Sequence, residues 1–551
     1  MRRLSLIILL FAICNIHIKS ATQFVVFSKT THTVRIADKY TQPTILQDVK
    51  DYKGVSIAVD NLKKDIKSVT GVDVKESINA NIIIGTIDKS RYIDTLIKQN
   101  KLDGRLLNGK KEKYIITTID GKLIIAGSDK RGTIYGIYEL SRQIGVSPWK
   151  WWADVPAEKH NEIFAKEGFY TDGEPSVKYR GIFINDEWPA MGNWTTEKYG
   201  GFNSKMYVHV FELLLRLKAN FLWPAMWGSA FYADDSLNSK LANDMGIIIG
   251  TSHHEPMGRN HQEYARNREK YGEWNYQTNK KHLDEFFKEG ISRLKGTEDV
   301  VTIAMRGDGD APMGPNTNTR VLENIVRNQR KIIENVTGKP ANKTPQVWAL
   351  YSEVLDYYDK GMKIPDDVIV LLCDDNWGDV RRLPYIKGKR HLGGYGMYYH
   401  VDLHGAPRAY QWLNMTQIQH MWEQLQVTYD YGVDKMWILN VGDIKPMEYP
   451  MSFFLDMAWN PKQFNENNIN DYSLRFCTQQ FGEQQAQEAA FILDKYCKYC
   501  SRVSAEMLDD KTYNLESGEF KSVKDEFLAL EAHALRQYLT LKEEYRDAYK
   551  E

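Results

Sequence analysis

Four acids stand at the ends of short apolar runs. Asp186 follows YRGIFIN, Asp310 closes MRGDGD, Glu353 follows QVWALYS, and Asp374 follows VIVLLC. Hydrolysis of a glycosidic bond needs two carboxyl groups. One is protonated and serves the leaving oxygen, and the other is ionised and serves water or the sugar carbon. Crowded carboxyls push each other's pKa values apart, so an acid and a base can coexist near neutral pH. Any one of these residues could instead cap the helix that follows it. Four such endings on different strands argue for a shared site. Arg306 precedes Asp310 by four residues. A guanidinium among acids suits a substrate that carries a carboxylate of its own, through a bidentate pair. The alternative is an internal salt bridge to Asp308 or Asp310.

Other runs end in amides, histidines and aromatics: Asn185, His253-His254-Glu255, Asn376-Trp377, His400 and Asn440. Neighbouring histidines at a strand end point to opposite faces, so only one of His253 and His254 should reach the mouth. The spacing His-Glu-x-x-His is absent, and no catalytic metal is expected. His254 and His400 read instead as partners for sugar hydroxyls. Trp227 and Trp377 come after the polar turn residues rather than before them, which favours the cleft over the core.

These residues need elements to bring them together. Eight apolar runs lie between 179 and 460. A strand buried on both faces should be apolar along its length and has no reason to end in charge. Helical spacing over 205–217, 276–294, 319–336 and 414–431 separates several of them. Strands alternating with helices predict an α/β fold with a central (β/α)8 TIM barrel over 171–467, whose active site lies at the C-terminal strand ends.

A small α/β domain is expected over 22–170. It holds helices at 55–69 and 132–144, a strand at 81–86, and a hairpin turning at Asp120-Gly121. Pro148-Trp149-Lys150-Trp151-Trp152 reads as its docking seam. Over 468–551 the strands stop, and long helical runs at 483–501 and 524–549 predict a helical bundle. The second run meets no stop signal, so the helical domain is expected to be incomplete at its C-terminus.

Composition narrows the partners. The 551 residues carry a formal net charge of zero, which gives no reason to expect nucleic acid or an anionic membrane as partner. Arg2 and Arg3, the apolar run over 4–13, and small residues at Ser20 and Ala21 form an export signal over 1–21. The expected location is therefore periplasmic or extracellular. Cys497-x-x-Cys500 has no second pair beside it and reads as buried free thiols.

Taken together, YRGIFINDEWP, LKANFLWPAMWG, GTSHHEPM, MRGDGDAPMG, YSEV, DDNWGDVRRLP, GGYGMYYHVDLHGAPRAYQWLN and WILNVGDIKPMEYPMSFFLDMAWN resemble the xylan α-1,2-glucuronidases of glycoside hydrolase family 115. The resemblance implies removal of glucuronic acid or its 4-O-methyl ether from glucuronoxylan or its oligosaccharides, with inversion and with no required cofactor. It matches the family's acids to Asp186, Asp310, Glu353 and Asp374. Its polar sugar contacts fall on Asn185, His254, Arg306, Asn376, His400 and Asn440. Dimerisation would belong to the full-length form, which in this family runs on into a β-sandwich. Other readings remain: a barrel that binds xylan or uronate without cleaving it, or a glycosidase of other specificity, such as one confined to oligosaccharides. A hexosaminidase would place an adjacent Asp-Glu pair at the fourth strand, where this chain has Asp308-Gly309-Asp310.

Overall fold

The computed structural model describes residues 23–185, 188–313, 319–385, 391–402, 413–503 and 505–551. The expected export signal over 1–21 and the candidate acid Asp186 lie outside the described residues.

The N-terminal part holds two sheets. Strands β1 (Val25–Val26), β2 (Thr33–Asp38) and β8 (Glu162–Lys166) form a three-stranded antiparallel sheet. A six-stranded sheet runs β4-β3-β5-β7-β6-β9, from β3 (Thr44–Gln47), β4 (Lys75–Glu76), β5 (Ile82–Thr86), β6 (Tyr114–Ile119), β7 (Lys122–Gly127) and β9 (Phe169–Tyr170). The β6–β7 hairpin turns at Asp120 and Gly121, with φ of 51° and 71°. Two left-handed residues in succession match the twist of the flanking strands. Helix Lys130–Gln143 packs on this sheet, and helix Lys53–Thr70 packs against that helix. Asp129 caps helix Lys130–Gln143 by accepting from the Gly132 N–H at 2.9 Å.

Eight parallel strands follow: β10 (Tyr179–Phe183), β11 (Phe221–Trp223), β12 (Ile248–Ile249), β13 (Val301–Thr302), β14 (Gln346–Ala349), β15 (Ile369–Cys373), β16 (Tyr395–His400) and β17 (Met436–Asn440). The sheet runs β12-β11-β10-β17-β16-β15-β14-β13. Its two edges are joined through a parallel bridge between Ile249 and Asp299. There the Val300 N–H donates to the Ile249 carbonyl at 3.0 Å. The curled sheet is thereby drawn into a barrel. Apart from Tyr395, every residue of these strands is buried, as expected for strands covered on both faces. Gly181 is required where β10 meets β11, because a Cβ there would stand 1.7 Å from the Phe221 carbonyl oxygen.

Helices Ser204–Arg216, Lys280–Arg293, Thr319–Thr337 and Ile418–Asp430 occupy the stretches predicted from spacing. Between β15 and β16 no helix is found among the described residues, so the sixth crossover departs from the regular alternation. The N-terminal part is fastened to the barrel through buried charge and tryptophan. Glu112 accepts from Arg180 of β10 at 2.6 Å and from Asn220 at 2.9 Å. The Trp149 indole donates to Ser452 at 2.8 Å, and Trp152 donates to the His209 carbonyl at 3.1 Å.

Helices Asp471–Phe481, Glu483–Cys500 and Glu519–Thr540 follow the barrel. The last of these does not run to the chain end, contrary to expectation. Leu541 is extended and buried, and the chain returns as Arg546–Lys550, with the Tyr549 ring 5.4 Å from Phe481. Burial of Leu541 and packing of the half-buried Tyr549 on Phe481 override the continuous local preference. Cys373, Cys477, Cys497 and Cys500 are free thiols. No helix among the described residues is long and apolar enough to cross a membrane.

Candidate active site

The site forms where the loops after β12, β13, β14 and β15 meet the ends of β16 and β17. Asp310 ends a 3-10 turn, Asp308–Asp310, and itself has φ of 67°. Ala304, Ser352 and Asn376, in adjoining loops, also have positive φ. Such backbones are strained for residues with a side chain. They persist where surrounding structure over-determines them, which is common at functional sites.

Arg306 organises the acids. Its guanidinium bonds Asp310, and it grips Glu353 with two nitrogens, at 2.7 and 3.2 Å. His253 reaches both oxygens of Asp310 from Nε2, at 3.1 and 3.2 Å, and His254 Nδ1 lies 3.5 Å from Oδ1. The expectation that only one of the two histidines could face the mouth is therefore corrected. Residues 253–255 form a turn rather than a strand, so the alternation of side chains does not apply to them. Beside this cluster, His400 Nδ1 bonds Asp374 at 2.6 Å, and the His400 backbone N–H donates to the same carboxylate at 3.2 Å.

Aromatic rings make the floor and wall. Tyr351 lies 4.5 Å from the His253 ring and 6.0 Å from both Tyr398 and His400. Trp223 packs edge-on to Phe183 and Tyr398. Trp227 stacks on His254 at 5.9 Å. Asn440 donates to the Tyr398 hydroxyl at 2.9 Å, and its own oxygen accepts from the Gly442 N–H at 3.0 Å. Asn376 bonds Tyr351. Asn185 is half-buried at the end of β10, and Trp377 is 46% exposed at the rim. The structure thus gathers Asp310, Glu353, Arg306, His254, Trp227 and Asn376 through one set of contacts, with the Asp374–His400 pair and Asn440 adjoining through Tyr351 and Tyr398.

Asp308 turns away from this set and pairs with Arg268 at 2.6 Å and His261 at 3.1 Å. Glu255 does not face the acids. It accepts from the His261 N–H at 2.7 Å and from Asn260, and so fixes the turn that carries the histidines. His253, Tyr351 and Tyr398 complete the site; the sequence marks His253 and Tyr351 as run endings but gives neither a role, and does not mark Tyr398. The signal for Tyr351 was its place two residues before Glu353 at a strand end.

Electrostatics differ sharply over a few ångströms. Burial pushes the Asp310 carboxyl up, but its histidine contacts and the Arg306 charge outweigh burial and hold it well below the usual carboxylate range. Burial lowers His254 to about 3, so this imidazole is neutral at ordinary pH. Arg306 then supplies a standing positive charge beside Asp310. Burial lifts Tyr351 to about 12, with Asp310 adding to the effect. In this cleft four buried nitrogens have no hydrogen-bond partner among the described residues: Trp223 Nε1, His253 Nδ1, His254 Nε2 and His400 Nε2. Buried polar atoms are normally satisfied, and a cluster of exceptions in a cleft suits a polyhydroxylated ligand.

Donor atoms of His253, His254 and Asp310 lie within 4.8 Å of one another, close enough to share a cation. Arg306 bonds the same Asp310 carboxylate and places a fixed positive charge against that cation.

The model of glycosyl hydrolase family 115 matches residues 172–507, and that of the family 67 N-terminus matches residues 25–140. No curated protein matches the chain. Among solved structures, a family 115 4-O-methyl-α-glucuronidase with specificity for decorated arabinogalactans is 31% identical. The match covers 94% of this chain and 70% of that one, with a TM-score of 0.86. A family 138 enzyme targeting pectin rhamnogalacturonan II is 12% identical, covering 92% and 67% of the two chains, with a TM-score of 0.56. A family 20 exo-β-N-acetylglucosaminidase from Vibrio harveyi is 10% identical, covering 85% and 76%, with a TM-score of 0.50. These last two share the fold alone. The family model spans most of the barrel and the first helices beyond it, the site acids Asp310, Glu353 and Asp374 fall inside its range, and the chain belongs to glycoside hydrolase family 115.

Proposed function

We propose that this chain is an exported α-glucuronidase that removes α-1,2-linked glucuronic acid, or its 4-O-methyl ether, from glucuronoxylan with inversion. The observation that carries the reading is Arg306 held between two acids, with Glu353 bound through two nitrogens. That geometry already fits a planar carboxylate. An incoming uronate takes the place of Glu353 on the guanidinium. Glu353, displaced from the guanidinium, then serves as general acid to the leaving oxygen. Asp310 stays anionic against Arg306 and the histidines and holds the attacking water as base. Inversion needs these carboxyls about 6.5–9.5 Å apart in the complex, with room for the water. Neutral His254 meets the sugar hydroxyls, together with His400 and Asn440. The Asp374 contact at Nδ1 leaves His400 Nε2 to face the ligand.

A second substrate reading has its own support. The family 115 structure that is 31% identical acts on decorated arabinogalactans, so the same uronate could be taken from a galactan backbone.

The test is release of free uronic acid from glucuronoxylan and from decorated arabinogalactan, with Asp310→Asn and Glu353→Gln beside the parent. Each substitution should lower kcat by about 10³-fold or more, the range for losing a positioned acid or base together with its electrostatic role. Proton NMR of the early product should find the β-anomer. Undiminished release by both variants would remove the proposed acid pair, and an α-anomer appearing first would remove inversion.

A further inference from the structure

Trp188 stands at the rim of the mouth with 41% of its surface exposed. Its seating is specific. The indole N–H donates to the Trp227 carbonyl at 3.0 Å. One ring face lies on Gly192, inside helix Ala190–Tyr199, where a Cβ would come within 2.5 to 2.8 Å of three ring carbons. Only glycine at this first-turn position leaves room for the ring. With one face seated and its only donor engaged, the ring offers outward a flat apolar surface and nothing else. Such a surface suits the C–H face of a pyranose ring and offers no partner to a carboxylate.

The position of the ring is equally defined. Trp227, which anchors it, stacks on His254, and His254 Nδ1 lies 3.5 Å from Asp310. Trp188 is thus three contacts outward from the proposed base, through Trp227 and His254. Beyond the scissile bond the substrate is no longer uronate but the neutral backbone sugar that carries it. We infer that Trp188 is the platform for that sugar, an aglycone site that makes the enzyme prefer decorated polysaccharide over a small uronoside. This rests on the proposed α-glucuronidase reading.

The experiment compares two substrates that share the uronate and differ in the aglycone. One is glucuronoxylan or decorated arabinogalactan. The other is methyl α-glucuronoside, whose aglycone is a single carbon. For Trp188→Ala, the loss of kcat/KM on polysaccharide should exceed the loss on the methyl uronoside by about tenfold, the scale of truncating an exposed-to-buried tryptophan contact. Trp188→Phe, which keeps a flat face, should recover most of the difference, and Gly192→Ala should reproduce part of it by lifting the ring. Equal losses on both substrates, or a Phe variant as poor as Ala, would overturn the inference.

Retardation in native gels containing either polysaccharide reads the same contact without turnover. In an Asp310→Asn background, adding Trp188→Ala should abolish most of the retardation, and unchanged retardation would overturn the inference. A parent that releases no uronic acid from either substrate fails the proposed function, while the gel still decides the role of Trp188.

Discussion

At Asp310 one carboxylate receives His253, His254 and Arg306 together, and the placement of this group depends on each. His253 Nε2 touches both Asp310 oxygens, so it controls the direction in which the carboxylate faces. His253→Asn keeps a nitrogen near the Nδ1 position and deletes the contact, whereas His253→Gln returns a nitrogen to the Nε2 end. We expect kcat for uronic acid release to fall about 10²-fold for Asn, the cost of a small misplacement, and at least tenfold less for Gln. Removing a donor to the anion also raises the Asp310 pKa. The acid limb of the Asn variant should therefore move to higher pH. Equal kinetics for Asn and Gln, or an unmoved acid limb, would leave His253 without this role. Asp310, Glu353, Asp374, Arg306 and His400 were legible in the sequence because each ends a run whose apolar length left charge unexplained. His253 was not, because pairing both histidines with one acid depends on a turn that local alternation does not foresee.

The elements were legible wherever their pattern was long. The four barrel helices predicted from spacing appear within a few residues of the expected bounds. The break at Leu541 was hidden because it answers to burial against distant helices rather than to a local stop signal. Helix Glu448–Trp459, which follows β17, hides a different feature. Glu448 sits in its first turn with its side chain 12% exposed, and one carboxyl oxygen accepts no hydrogen bond among the described residues. Lys445 is 3.9 Å away. Burial raises this carboxyl to about 7. A carboxyl raised on folding contributes stability that is full below its unfolded value and is lost as pH climbs through the folded value. The window is therefore from about pH 4.5 to about pH 7, and the full effect is on the order of 3 kcal/mol. Glu448→Gln should flatten the fall in thermal midpoint between pH 5 and pH 8, and should stabilise the chain at pH 8 relative to the parent. A parallel pair of profiles would mean that Glu448 does not titrate in this range.

The whole molecule is joined across its first large interface by charge. The tryptophan seam over 148–152 could be read from sequence as a cluster, but the ion pairs beneath it could not. Glu112 and Arg180 are 68 residues apart, and no periodic pattern links them. In the fold, the Arg180 side chain is wholly buried on β10, and Glu112 accepts from it, from Arg131 at 2.6 Å and from Asn220. Burial alone would raise Glu112, yet Arg180 and Arg131 hold it at about 2. The pair is best understood as a registry device. It fixes how the N-terminal sheets sit on the barrel, because either partner alone is costly to bury. Arg180→Met should destabilise the chain by about 3–5 kcal/mol, since Glu112 is left with less of its compensating charge. Adding Glu112→Gln should return a large part of that loss, because the uncompensated charge is then gone. The parent's share from Glu112 is present above about pH 4.5 and declines as pH falls toward 2, so the single variant should lose most relative to the parent at neutral pH. Thermal midpoints of the parent, both single variants and the double at pH 7 and pH 4 measure this coupling. Additive losses in the double variant would mean that the two groups act independently and that the tryptophans alone set the registry.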